Sequence, residues 1–261
     1  MEQNFIKPKF LVFPTKDNAN KYVSDLIVKA VANNPNLILG LPTGVTPLII
    51  YKNLIDANKA NVISFANVST FNMDEFIGIE DKNYEFSRHN YMDQNLFDHI
   101  DINKDNTFFP IPFGFDFNAN PNYDYVDYDR FIESKGYIDL LLMGVGNNGE
   151  LAFNQPNVSS FEDFTSVVQL SEPTMNSLSK TFGHRSLVPN YAVTMGIQSI
   201  LYSKKIVLVA YGVEKAEALY NLFFNNEFDE NWPITSLNYH TDVIVVCDKE
   251  AATYIMERKI Q

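Results

Sequence analysis

Hydrophobic residues occur along the chain in two alternating patterns, short continuous apolar runs and longer stretches with an apolar residue every three or four positions. The first is typical of strands buried on both faces, and the second of amphipathic helices. The continuous runs predict strands at residues 10–13, 36–41, 68–72, 139–144, 205–210 and 242–247. The periodic stretches predict helices at residues 19–31, 48–54, 90–99 and 214–224. This alternation predicts an α/β fold with a doubly wound, mostly parallel sheet and helices on both faces, of the Rossmann-like type.

Residues 157–189 interrupt the alternation. They are rich in Ser, Thr and charged residues and have weak apolar periodicity. We interpret them as an excursion over the carboxyl edge of the sheet, either a lid or an ordinary surface insertion. Because the chain has no internal repeat, low-complexity tract or clear linker, we expect residues 1–261 to form a single domain.

Composition narrows the class of protein. The chain is 46% hydrophobic and 20% charged, which is typical of a soluble globular protein. The 20 Lys and Arg residues against 32 Asp and Glu give a net charge of −12, which argues against nucleic acid as a partner. No apolar run approaches the roughly 18 residues of a membrane span. A single cysteine, Cys247, and a polar start without a secretory signal predict a cytoplasmic protein.

A candidate anion site follows the second predicted strand. Residues 41–47 read Leu-Pro-Thr-Gly-Val-Thr-Pro and open a predicted helix. Free backbone N–H groups at such a terminus can hold a phosphate, Gly44 permits close backbone approach, and Thr43 and Thr46 offer hydroxyl donors. The alternative is an ordinary turn between a strand and a helix, which uses the same residue types.

Two adjacent carboxylates, Asp74 and Glu75, follow the third predicted strand at the same edge of the sheet. One of them could serve as a general base if it is partly desolvated and within reach of a carbon acid. The alternative is a helix N-cap or a solvated turn.

The stretch richest in glycine is residues 144–156, Gly-Val-Gly-Asn-Asn-Gly-Glu-Leu-Ala-Phe-Asn-Gln-Pro. Its glycines match the dinucleotide pattern G-x-G-x-x-G formally, but Pro156 ends any following helix too early. Lys215, after the strand at 205–210, is a cation that could reach a ligand or lie solvated on a helix. The four histidines have no metal-ligand spacing, so no metal site is predicted.

These stretches together resemble the glucosamine-6-phosphate deaminase/isomerase family, which includes galactosamine-6-phosphate isomerase and, more distantly, 6-phosphogluconolactonase. The matching stretches fall in family order along nearly the whole chain: 39–47, 70–75, 96–102, 143–156, 188–196, the Lys215 segment and 245–248. In that family the sugar ring opens, a carboxylate moves a proton between C2 and C1, and an amino group at C2 leaves as ammonia.

The resemblance implies roles for individual residues. It assigns the proton transfer to Asp74 and the sugar phosphate to Thr43, Gly44, Thr46 and Lys215. A basic residue of the lid, Lys180 or Arg185, would help to hold the phosphate. The reaction needs no metal or organic cofactor, the partner is a small-molecule sugar phosphate, and family members often form homo-oligomers.

One motif departs from the family. Its ring-opening pattern is G-x-G-x-D-G-H-x-A-F-N-E-P, and this chain has Asn148, Glu150 and Gln155 at the Asp, His and Glu positions. Glu150 could replace the histidine as acid/base if burial raises its pKa. The sequence therefore predicts an amino-sugar-phosphate deaminase or isomerase. The alternatives are an isomerase of another hexose 6-phosphate or a sugar-phosphate-binding regulator without catalysis, and a lactonase is favoured less.

Overall fold

The computed structural model describes residues 5–79, 81–116 and 118–260. The strands are β1 (Lys9–Phe13), β2 (Ile38–Leu41), β3 (Ser69–Asn72), β4 (Asp74–Phe76), β5 (Thr107–Phe108), β6 (Leu140–Met143), β7 (Ser166–Gln169), β8 (Tyr191–Thr194), β9 (Ile206–Ala210) and β10 (Val243–Asp248). The α-helices are α1 (Lys16–Asn33), α2 (Leu48–Lys59), α3 (Arg88–Asn95), α4 (Asp127–Ser134), α5 (Glu172–Phe182), α6 (Ile197–Leu201), α7 (Ala216–Phe224) and α8 (Thr253–Ile260).

Seven strands form one sheet in the order β1-β10-β9-β6-β2-β3-β5, and every pairing in it is parallel. Every residue of β2, β6, β9 and β10 is buried, as their continuous apolar sequences require. One core layer forms around Phe71 and Leu141 and the other around Ile27 and Leu54. The predicted doubly wound parallel sheet with two covered faces is confirmed.

The predicted helices are present with different ends. The first begins at Lys16, because Thr15 accepts a hydrogen bond from the backbone N–H of Asn18. The second extends to Lys59. The third runs over Arg88–Asn95 and is followed by a separate 3₁₀ turn at Phe97–His99. The fourth prediction was wrong at its start, where Val213–Lys215 form a 3₁₀ turn before α7.

A second, three-stranded antiparallel sheet in the order β4-β8-β7 was not predicted. It incorporates part of residues 157–189, which contain β7 and α5 and are more regular than their sequence indicates. Helix α5 begins at the N-cap Ser171 and ends at Gly183, whose φ of 75° is easily adopted by glycine. The interpretation of residues 157–189 as a lid stays a prediction.

The parallel sheet places four loops at one edge. The segments after β2, β3, β6 and β9 all leave the carboxyl ends of neighbouring strands, where ligands bind in open α/β sheets. They contain the four motifs singled out from the sequence. Within the described ranges, no helix has the length and apolar character needed to cross a membrane.

Candidate active site

An open cleft of about 190 Å³ lies at this edge of the sheet. Three segments supply most of its lining, namely 42–47 after β2, 73–74 at the start of β4, and 144–153 after β6. Arg88 of α3 and Val209 of β9 complete it. The predicted phosphate loop, the predicted base and Glu150 therefore share one cleft.

The loop at residues 42–47 is fixed by two tyrosines. The hydroxyl of Tyr51 donates to the Pro42 carbonyl oxygen over 2.5 Å, and that of Tyr91 donates to the Gly44 carbonyl. Gly44 has a φ of 99°, which disfavours any side chain. Within the part of the chain described, the hydroxyls of Thr43 and Thr46 have no protein partner, so both are available to a ligand.

Asp74 is buried at the start of β4, with 7% of its surface exposed. Its Oδ1 accepts a hydrogen bond of 2.7 Å from Nε of Arg88. Burial raises the pKa of Asp74, and the charge and hydrogen bond of Arg88 oppose that rise. A partly desolvated carboxylate with one fixed partner suits a general base.

Glu75 contacts different groups from Asp74. Successive residues of a strand point to opposite faces, and Glu75 turns toward the N-terminus of α3. Its carboxylate accepts hydrogen bonds from the backbone N–H groups of Phe76, Arg88 and His89, and Nδ1 of His89 lies 2.6 Å from Oε2. Glu75 therefore binds the N-terminus of α3 from a neighbouring strand, whereas the N-cap of that helix is Ser87.

Glu150 lines the same cleft as Asp74 and is close enough for the charge of Asp74 to raise its pKa. Burial raises its pKa to about 7, and hydrogen bonds from Asn148 and Thr174 oppose the rise. The hydroxyl of Thr174 lies 3.2 Å from Oε2 of Glu150, and Nδ2 of Asn148 lies 3.5 Å from the same atom. A carboxyl group of this pKa can both accept and donate a proton near neutral pH.

The glycines of this segment serve a tight turn. A Cβ at Gly146 would lie 2.6 Å from Oδ1 of Asn148, and one at Gly149 would lie 2.7 Å from the Trp232 ring. Leu151 then bridges to Asn154 rather than beginning a long helix. The arrangement differs from that of a dinucleotide-binding turn.

The other basic residues of the predicted site, Lys215, Lys180 and Arg185, are not among the residues that line the cleft. Lys215 is half-buried, donates to Oδ1 of Asn147 over 2.6 Å, and is close enough to Glu150 for each charge to affect the other's pKa. Burial lowers the pKa of Lys215. Lys180 is exposed on α5 and does not line the cleft, and Arg185 binds Oε1 of Glu172 over 3.3 Å.

Gln155 is buried beside the cleft rather than in its lining. Its Nε2 donates to the Gln169 carbonyl oxygen over 2.8 Å, and its Oε1 accepts from the backbone N–H of Ser171 over 2.7 Å. The side chain therefore fixes the junction between β7 and α5. Thr174, whose hydroxyl donates to Glu150, lies in the first turn of α5 just after this junction.

Sequence reasoning missed Arg88. It is the first residue of α3, after the N-cap Ser87, and its side chain reaches back to Asp74. The sequence carries only a weak signal, a Ser followed by a basic residue ahead of a short helix.

Among the described residues, no group of three or more His, Cys, Asp and Glu side chains is arranged to hold a metal ion. The expectation that the reaction needs no metal stays a prediction.

A parallel α/β fold with a cleft at its carboxyl edge, lined by the loop at residues 42–47 and by two carboxylates, is typical of small-molecule-binding α/β proteins. Residues 15–246 match the family described as Glucosamine-6-phosphate isomerases/6-phosphogluconolactonase. The chain belongs to this family, as the order of its motifs predicts.

Individual relatives support the same assignment. The chain is 43% identical over 243 residues to the glucosamine-6-phosphate deaminase of Malacoplasma penetrans, covering 93% of this chain and 96% of that protein. It is 39% identical over 251 residues to that of Mycoplasma mycoides, covering 96% and 99%. A monomeric glucosamine-6-phosphate deaminase of known structure superposes with a TM-score of 0.86 at 35% identity, covering 94% of this chain and 99% of that one.

Proposed function

We propose that the protein converts an amino-sugar 6-phosphate, of the glucosamine-6-phosphate or galactosamine-6-phosphate type, into a ketose phosphate with release of ammonia. The observation that carries the proposal is that Asp74 and Glu150 face one cleft together with the loop at residues 42–47. The relatives of similar length named glucosamine-6-phosphate deaminase support the same chemistry.

The phosphate binds at the loop between β2 and α2. Thr43 and Thr46 supply hydroxyl donors from the lining of the cleft, and the positive N-terminal end of α2 follows them. Lys215, which lies near Glu150 and outside that lining, adds a positive charge. This placement fixes C6 and leaves the reacting carbons near the carboxylates.

Ring opening is the work of Glu150. As a carboxylate it accepts the proton of the C1 hydroxyl, and as an acid it returns a proton to the ring oxygen. A pKa of about 7 makes both forms available near neutral pH. Thr174 and Asn148 hold the carboxylate through hydrogen bonds, as the imidazole of a histidine would be held by a partner group.

Asp74 then acts on the open-chain aldehyde. It removes the proton from C2 and returns one to C1, and the imine formed at C2 is hydrolysed to a ketone and ammonia. The aldehyde carbonyl accepts the electron pair of the broken C–H bond, so no organic cofactor is required.

The proposal is tested by steady-state turnover of purified protein on glucosamine 6-phosphate, galactosamine 6-phosphate and glucose 6-phosphate, measuring ammonia and ketose phosphate separately. Ammonia with ketose from either amino sugar supports it. Ketose from glucose 6-phosphate alone indicates an isomerase of a different hexose. Binding of these sugars without turnover by any of them indicates a regulator.

Substitution of Lys215 by methionine is expected to raise KM by about 10- to 100-fold, because a charge-assisted hydrogen bond contributes about 1.5–3 kcal/mol. The kcat should change little, since the phosphate is held equally in the ground state and the transition state. Initial rates over a range of substrate concentrations measure both constants.

Lys52→Met is the matched control for this substitution, because Lys52 is 69% exposed and pairs with Asp56 on the surface of α2. The inhibition constant of inorganic phosphate should rise in parallel with KM in Lys215→Met and stay unchanged in the control. An unchanged KM for Lys215→Met would show that this lysine does not hold the phosphate.

Substitution of Gln155 by alanine is expected to lower the free energy of unfolding by about 1–3 kcal/mol, because two buried backbone groups lose their partner. Denaturant unfolding measures this loss, with Gln94→Ala on the exposed side of α3 as control. The kcat should decrease only to the extent that the loss of Gln155 displaces Thr174 from Glu150. A large decrease in kcat at unchanged stability would instead indicate that Gln155 takes part in the chemistry.

Further expectations of the proposal concern the surroundings of the protein. We place it in the cytoplasm with a small-molecule sugar phosphate as its partner, and without nucleic acid or membrane as partners. Self-association stays a prediction, and the related deaminase of known structure is described as monomeric.

A further inference from the structure

Arg88 is held by two consecutive carboxylates of β4. Its Nε donates to Oδ1 of Asp74 over 2.7 Å, and its backbone N–H donates to Oε1 of Glu75 over 3.0 Å. Because Asp74 and Glu75 point to opposite faces of the strand, one fixes the side chain and the other fixes the backbone. The position of the guanidinium relative to Asp74 is thereby determined.

Two aromatic rings fix the plane of the guanidinium. Cζ of Arg88 lies 4.3 Å from the ring centroid of Phe76 and 5.5 Å from that of Phe153. Cation–π contacts of this kind hold a guanidinium against an aromatic face. The side chain is only 15% exposed, and Arg88 is one of the residues that line the cleft.

The terminal nitrogens of Arg88 remain available to a ligand. A guanidinium has five N–H donors, and Nε uses one of them on Asp74. Among the side chains that the structure describes, which exclude those of residues 80–83, no acceptor is hydrogen-bonded to the two terminal nitrogens. Donors in so confined a place are ordinarily satisfied, which makes the ligand of the cleft their natural partner.

The charge balance of the cleft favours the same conclusion. Of the cleft-lining residues that the structure describes, three are charged: Asp74, Glu150 and Arg88. Arg88 is thus the cation directly beside the base. Removal of a proton from C2 creates negative charge on the neighbouring oxygen, and a donor fixed at that place stabilises it.

We infer that Arg88 is a catalytic residue whose terminal nitrogens donate hydrogen bonds to the carbonyl oxygen at C1 while its Nε holds Asp74. The inference rests on the proposed function. In the step concerned, the C2–H bond breaks and the proton moves to Asp74. The electron pair forms a C1=C2 double bond, and the carbonyl π pair moves to the oxygen at C1, where Arg88 binds it.

Arg88 has a second effect through Asp74. Four groups are close enough for their charges to interact with this carboxylate, namely Arg88, Glu75, Glu150 and Tyr128. Arg88 lowers the pKa of Asp74, whereas burial and the charge of Glu75 raise it. Without Arg88 the pKa of Asp74 rises further, so the acidic limb of kcat/KM should move to higher pH.

Arg88→Met and Arg88→Lys test the inference by kcat, KM and pH profile. Loss of one oxyanion donor costs about 10²- to 10³-fold in kcat, so we expect a decrease of that size for Arg88→Met with KM changed only a few-fold. Arg88→Lys should recover part of kcat because the charge is kept. Arg130→Met is the control, since Arg130 is 59% exposed and binds Asp124 and Asp127 on the surface.

Chemical rescue separates chemistry from folding. In Arg88→Ala, added methylguanidinium should raise kcat, whereas sodium chloride at equal ionic strength should not. If Arg88→Met does not fold, Arg88→Lys and this rescue decide the question.

Three outcomes would contradict the inference. A raised KM at unchanged kcat would place Arg88 on the phosphate. If the wild-type protein is active and the Arg88 variants have unchanged kcat and an unchanged pH profile, the role of Arg88 is refuted and the proposed function is not. Absence of turnover by the wild-type protein would refute the proposed function and this inference with it.

Discussion

Asp74→Asn is expected to reduce kcat by about 10²- to 10⁴-fold, the typical contribution of a positioned general base. The asparagine amide keeps the size of the side chain and can still accept a hydrogen bond from Arg88, but it cannot take a proton from carbon. The substrate should still bind, because the phosphate loop and Lys215 are unaffected. Ammonia release under saturating substrate measures the effect.

Asp25→Asn is the control for this prediction, since Asp25 is 64% exposed and pairs with Lys21 on the surface of α1. It should have wild-type kcat. Thermal unfolding of both variants separates a loss of chemistry from a loss of folding, because Asp74→Asn leaves the partly buried Arg88 without its counter-ion. Unchanged turnover by folded Asp74→Asn would show that another group moves the proton.

Glu150→Gln is expected to lose about 10²- to 10⁴-fold in kcat on the cyclic substrate, because glutamine cannot carry the proton from the C1 hydroxyl to the ring oxygen. The decrease should be much smaller on a 4,5-dideoxy analogue, which lacks the C4 and C5 hydroxyls and can close neither a furanose nor a pyranose ring. Comparing the two substrates therefore distinguishes ring opening from the later proton transfer by Asp74.

The pH profile gives a second test of Glu150. The raised pKa of about 7 means that the carboxylate form increases as the pH rises through that value. If the carboxylate starts ring opening, kcat/KM for the cyclic substrate should rise with an apparent pKa near 7, and this limb should be absent in Glu150→Gln. Glu133→Gln, on the exposed side of α4, should keep the wild-type profile. Equal decreases of kcat in Glu150→Gln on the cyclic substrate and on the analogue that cannot close a ring would contradict the assignment of ring opening to Glu150.

The sequence was sufficient to predict the large sheet because β2, β6, β9 and β10 are continuous apolar runs, and only burial on both faces accommodates such strands. The small sheet escaped prediction because its strands have three or four residues and partly polar sequences. Their pairing depends on contacts between residues far apart in the chain, such as Val167 with Val193. Local patterns do not contain that information.

The candidate site was predictable where a motif follows a strand. Thr43, Gly44, Asp74 and Glu150 come together because parallel strands end at one edge. The raised pKa of Glu150 was predicted only on the condition that the side chain is buried. Its burial depends on how α5 packs beside it. Arg88 was missed because its role arises from the approach of α3 to β4, which no local spacing specifies.

The most direct test of the central claim is deuterium exchange at C1 and C2 of hexosamine and hexose 6-phosphates, followed by NMR in deuterated buffer with purified wild-type protein. We expect incorporation of deuterium into an amino-sugar 6-phosphate or its ketose product, accompanied by ammonia, and none with Asp74→Asn. Measurable binding of these sugars without any exchange by the wild-type protein would contradict it.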